Sequence, residues 1–186
     1  MRHHRRVKKA STFLVLLVVA SLAATGCGGT STGNPEVDRR NQLDAAYEAV
    51  AAAQIEVATD YSNAILKTTK DPEIEKFANS VLAERKQWTE KLDRLRRTGE
   101  EVESLAKASY ILDISLKDLG ITADGTPLAA PSSDAGYLTA MKSNDKASLL
   151  AAEVNNGEGG PATSQLSNLV IQGATQELEQ IKQLQK

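Results

Sequence analysis

The sequence predicts an all-α fold, a four-helix bundle built from two duplicated helical hairpins with a short extra helix between them. Three observations predict it. Apolar residues recur at spacings of four and three over long stretches of the chain. Ala and Leu dominate those stretches and aromatic residues make up only 4% of the chain, a side-chain set that suits closely packed helices. The second half also repeats the first: "DAAY" at 44–47 returns as "DAGY" at 134–137. A nearly constant offset then matches Pro72, Asn79, Val81, Gln87, Glu90 and Leu95 to Pro161, Asn168, Val170, Gln176, Glu179 and Leu184. Two copies of a hairpin, each with one apolar stripe, bury those stripes against each other.

The chain opens with Arg2, Arg5, Arg6, Lys8 and Lys9 and no acid, followed by an apolar run from Phe13 to Ala24 and the small residues Thr25 and Gly26. This is the pattern of an export signal: a charged start, an apolar middle and a small-residue cleavage site. The run is shorter than the roughly 20 residues that a membrane-spanning helix needs. Residues 1–26 are therefore expected to be a signal peptide. "AATGC" resembles the lipobox of bacterial lipoproteins, which implies that Cys27 becomes a lipid-bearing first residue. Ala24 stands where that motif usually has Leu. Lipidation accounts for an unpaired cysteine in an oxidising compartment, and paired acyl chains such as diacylglyceryl and palmitate anchor stably where one chain is marginal. "GGTSTGN" supplies a flexible tether, so residues 27–35 link anchor and domain.

The bundle is expected over 36–186, with repeat one at about 43–99, a connector at 100–132 and repeat two at about 133–186. The first helix is expected from Glu36 to Thr69, with the stripe Leu43, Tyr47, Val50, Gln54, Val57, Tyr61 and Ala64. Asp71 is a good N-cap, Pro72 suits a first turn and Glu73 favours the positive end of the helix dipole. The second helix carries Ile74, Ala78, Val81, Arg85, Trp88, Leu92 and Leu95 on the same spacing, with Gly99 as its stop. A shorter helix is expected between Glu100 and Leu119, then a Gly-, Pro- and Ser-rich loop. The third long helix starts near Ser133 or Asp134 and runs to about Val154, "NNGEGG" breaks it, and Pro161 opens the fourth.

Composition limits the chemistry. Five of the 22 Lys and Arg residues and none of the 24 acids precede Cys27, which leaves 17 against 24 and a formal charge of −7 on the rest. Nucleic acid is not an expected partner for such a chain. Both histidines, His3 and His4, also precede Cys27, and Met141 is the only methionine after it. Zinc, copper and non-haem iron sites lean on imidazole and sulfur ligands. A Ser-His-Asp triad or a histidine base cannot be assembled after Cys27. No cofactor and no catalytic residue are expected.

Three polar residues interrupt the stripes at corresponding heights. Gln54 and Asn144 are equivalent in the two repeats, and Arg85 lies about as far after the first turn as Gln54 lies before it. With Asp145 they form the expected polar core layer, in which Arg85 pairs with a carboxylate and helix register is fixed. Glu56 and Asp145 are the candidates for that counter-charge. Glu56 and Asp60, four apart on one helix, are the carboxylates on which an oxygen-only cation site would draw. Tyr47 and Tyr137 are expected as paired core residues near one end of the bundle, and Trp88 as core.

The segments "DAAYEAVAAAQIEVA" and "DPEIEKFANSVLAERKQWTEKLDRLRRTG" resemble the CopM-like copper metallochaperone family of ferritin-like bacterial proteins. Its members carry an Asp-x-x-Phe opening, a His-His pair with nearby methionines, and a second helix begun by Pro. The resemblance spans both repeats from about Leu43 to the C-terminus, apart from the central insert, and implies a ferritin-like bundle. The family's His-His falls on Gln54-Ile55 and on Asn144-Asp145, so copper binding does not carry over to these positions. The expectation is thus a lipoprotein on the extracytoplasmic face of the cell membrane, anchored through Cys27, with a non-catalytic bundle that binds or scaffolds an envelope protein. The competing expectation is a metal-handling protein with oxygen ligands in place of the histidines.

Overall fold

A computed structural model describes residues 32–96 and 104–186. The expected signal peptide, Cys27 and most of the expected tether, together with Gly99 and the start of the expected connector, lie outside the described residues. The fold is all-α, with helices α1 (Pro35–Ile65), α2 (Pro72–Arg96), α3 (Leu105–Ile111), α4 (Asp134–Glu158) and α5 (Pro161–Leu184). No strand is present among the described residues; Ile121 and Pro127 make one isolated bridge. None of the described helices is long and apolar enough to cross a membrane.

Side-chain caps set most helix starts. The Asn34 side chain accepts from the Glu36 amide at 3.1 Å, with Pro35 at the first turn of α1. Asp71 Oδ1 accepts from the Glu73 amide at 2.8 Å and opens α2. Ser104 and Ser133 cap α3 and α4 in the same way. The first helix ends at Ile65, short of Thr69, because Thr68 and Thr69 turn their amides back onto the Ile65 carbonyl. The helix expected between Glu100 and Leu119 is regular only over α3. Asp113 then takes a positive φ of 52° and the chain continues in turns. The "NNGEGG" stretch does not break α4 where expected. The helix runs on to Glu158, and its end is tied by the Gly159 amide on the Asn155 carbonyl at 2.6 Å.

The four long helices form a ring in which α1 packs on α2 and α4, and α5 packs on α4 and α2. Neighbours are antiparallel. Arg39 near the start of α1 pairs with Glu158 at the end of α4 at 2.7 Å, and Ser62 near the end of α1 bonds Tyr137 at the start of α4. Helices α2 and α4 therefore run the same way, and the connector between them must travel the length of the bundle. It lies on α1 and α4, with Ala108, Leu112, Leu119 and Ile121 buried. Gly120 sits at φ +85° where the Tyr61 hydroxyl and Val57 press closest; a Cβ there would stand 2.6 Å from that oxygen. Only glycine fits such a contact at that φ.

The predicted stripes are the buried faces. Leu43, Tyr47, Val50, Gln54, Val57 and Tyr61 are buried on α1, and Ile74, Ala78, Val81, Arg85, Trp88 and Leu92 on α2. Tyr47 and Tyr137 are core residues but do not pair. Because α1 and α4 are antiparallel, equivalent positions land at opposite ends of the bundle. Tyr137 meets Ser62 and the Phe77 ring at 5.9 Å, whereas Tyr47 lies beside Ser167.

Candidate functional site

Halfway along the bundle, α2 carries Arg85 into the core, where it is 1% exposed. Its guanidinium forks onto Glu177 of α5, Nη1 to Oε1 at 2.9 Å and Nη2 to Oε2 at 2.7 Å. Nη2 also donates to Asp145 Oδ1 of α4 at 3.0 Å. Trp88, one turn along α2, lies flat against the cation, its ring centroid 3.9 Å from Arg85 Cζ. Asp145 and Glu177 are as deeply buried as the arginine. Burial works against the charge on Arg85 but is outweighed by Glu177 and then Asp145, so its pKa is raised.

Above this cluster the polar layer closes between α1 and α4. Gln54 Nε2 donates to Asn144 Oδ1 at 3.3 Å, and Asn144 Nδ2 donates to the Leu119 carbonyl of the connector at 2.8 Å. The four residues expected in the layer are thus placed at one level as two bonded groups, the Gln54–Asn144 amides and the Arg85–Asp145 hydrogen bond. Glu56 is not the counter-charge: it is exposed, as is Asp60, so neither faces the core. The role falls to Glu177. Its signal was present in the sequence, because Glu177 interrupts the α5 stripe Leu166, Val170, Ala174, Ile181, but no equivalent polar residue in repeat one drew attention to it.

A third carboxyl, Glu84, reaches the cluster from the half-buried flank of α2. It has room because Gly173 of α5 has no side chain: a Cβ there would collide with the Glu84 carboxyl and stand 2.6 Å from the Trp88 ring. Burial, then the charge on Glu177, push the Glu84 carboxyl up to about 7 against the pull of Arg85. Asp145 is raised well above the usual carboxylate range, chiefly by burial and then by Glu177, with Arg85 opposing. No group of three or more His, Cys, Asp or Glu side chains able to hold a metal ion is found among the described residues. The cluster carboxylates surround a guanidinium instead.

A second polar knot ties the end of the bundle near the start of α1. Asp44 Oδ1 accepts from Thr163 Oγ1 at 2.6 Å, from the Gly160 amide at 2.8 Å and from Asn155 Nδ2 at 3.0 Å. Asn155 Oδ1 in turn accepts from Ser167 Oγ at 2.6 Å. A residue of α1 thereby caps α5, whose own N-cap, Gly160, has no side chain to do so.

Fold and site together define an all-α bundle with a buried ionic centre. Comparison of the chain with protein-family models, with curated proteins and with solved structures finds no match.

Proposed function

We propose that the protein is a membrane-anchored extracytoplasmic lipoprotein whose helical bundle, ferritin-like and related to the CopM-like proteins, is a non-catalytic binding or scaffolding domain. One observation carries the non-catalytic reading: the ionisable groups best suited to acid-base or ligand chemistry, Arg85, Asp145 and Glu177, are bonded together at 0–1% side-chain exposure. The level at which the resembled family would place its histidines is filled by the Gln54–Asn144 bond and the Arg85 cluster. Recognition then falls to the surface, where Tyr110 of α3 is 87% exposed and Leu150 of α4 is 45% exposed. Leu150 borders a depression between the connector and α4 with Asp113, Ile114, Asp118 and Lys146. The long crossing that links the two hairpins supports the ferritin-like reading, and the signal and lipobox pattern ending at Cys27 supports the anchor.

The experiment is a paired one. Cell fractionation of Cys27→Ala is expected to release the protein from the membrane fraction or block its processing; a processed variant still wholly membrane-bound contradicts the anchor. Calorimetric titration of the full chain with copper and with divalent cations is expected to show no tight site. A stoichiometric site in the bundle would support metal handling through oxygen ligands.

A further inference from the structure

We infer that the core of the bundle is a proton-binding site, in which the buried Asp145 carboxyl holds one proton and exchanges it with solvent through Glu84, making the seam between α2 and α5 responsive to pH. The inference is independent of where the protein resides. It starts from a count of charges. Three carboxyls from three helices converge on one guanidinium, and with all of them ionised the cluster would carry a net charge of −2 in a core where even one uncompensated charge is costly.

The unpaired atoms point the same way. Asp145 Oδ2 and Glu84 Oε2 are buried, and no protein group donates to either. Asp145 Oδ1 and Glu177 Oε2 nevertheless crowd onto one nitrogen, Arg85 Nη2, at 3.0 and 2.7 Å, and the charge on Glu177 helps to raise both Asp145 and Glu84. Two carboxylates repel at that range, whereas a carboxylic acid and a carboxylate form a strong charge-assisted bond. A proton turns each of these contacts from repulsive to attractive. Glu177 is the shared acceptor, held in place by the Arg85 fork, and Asp145 is the deepest member.

The groups acting on the site come from every helix around it. Helix α2 supplies Glu84 and Arg85, α5 supplies Glu177, and α4 supplies Asp145 and the Tyr137 hydroxyl, which burial keeps neutral. Helix α1 brings the uncharged Gln54 amide to this level. Glu84 is the half-buried member and the route to water. When it ionises above neutrality it faces the Glu177 carboxylate across the seam where Gly173 leaves room for it. The titration of Glu84 near 7 and the raised value at Asp145 agree with this reading.

Trp88 is the only tryptophan in the chain and touches the cluster, so it reports from inside it. Three measurements on the full chain test the inference. First, unfolding calorimetry at about pH 7 in two buffers of different ionisation enthalpy should show the folded state holding about one more proton than the unfolded one, or slightly more; no difference overturns the proton site. Second, Asp145→Asn mimics the protonated acid, so the urea midpoint at about pH 7 should stay or rise and the proton difference should drop by about one. A collapse of that midpoint means that Asp145 is ionised and overturns the proposal. Third, native Trp88 emission should show a titration near pH 7 that Glu84→Gln removes; a wild-type signal flat from about pH 5 to about pH 8 overturns the role of Glu84.

Discussion

Asn144 shows how much one side chain can hold. Its amide accepts from Gln54 on α1 and donates to the Leu119 carbonyl of the connector, so it joins three segments at 0% exposure. Asn144→Ala leaves the Leu119 carbonyl and the Gln54 amide unpartnered, each a buried group that costs about 1–3 kcal/mol to strand. We expect a loss of about 2–4 kcal/mol in denaturant unfolding, with faster hydrogen exchange around Leu119. Glu84 governs a different quantity. Its folded pKa of about 7 lies above the 4.5 of a free glutamate. The stability it contributes is therefore complete below that lower value and disappears as pH rises through about 7. Asp145 acts in the same direction. The wild type should consequently unfold at a lower urea concentration at about pH 8 than at about pH 5, and Glu84→Gln should flatten part of that slope. A stability that rises across this range would be the opposite of what these two carboxyls predict.

At the scale of elements, α5 depends on a residue far from it in sequence. Gly160 precedes Pro161 and offers no side chain to the first turn, and Asp44 of α1 closes it instead. Asp44→Ala removes a cap worth about 0.5–2 kcal/mol and also strands Asn155, so we expect about 2–3 kcal/mol in unfolding experiments. Native-state exchange should show fraying confined to the start of α5 and the end of α4. The four long helices were legible in the sequence because each carries a stripe at a four-three spacing and each has a Pro or a capping side chain at the start. The ends were less legible. Asn155 and Gly157 read as breakers, yet Asn155 turns its amide inward to Asp44 and Ser167, and α4 continues past it. No local pattern announces a partner 111 positions away. The connector shortened its expected helix to α3 for a related reason: Leu112, Leu119 and Ile121 are buried by lying across α1 and α4, not by a helical stripe of their own. Glu177 was visible as a polar break in α5, but its pairing with Arg85 follows from α2 and α5 being neighbours, which only the assembled ring specifies.

For the molecule as a whole, the account rests on a bundle whose centre is closed by its own charges. On the proposed function, anchoring depends on Cys27 and recognition on the surface, so Cys27→Ala should change where the protein is found without changing its melting temperature. The same view makes the centre fragile in one specific way. Replacing Arg85, Asp145 and Glu177 together by aliphatic residues of similar size should be tolerated or raise stability, because a buried ion pair seldom outperforms good apolar packing. Removing the cation alone should be severe. The most direct measurement is denaturant unfolding of Arg85→Ala beside wild type at about pH 7, where Glu177 and its neighbours would lose their only counter-charge. A loss of about 3–5 kcal/mol, easing as pH falls and the carboxyls take up protons, is the predicted result. A variant within about 0.5 kcal/mol of wild type would contradict the account, because a change that small belongs to surface residues without partners.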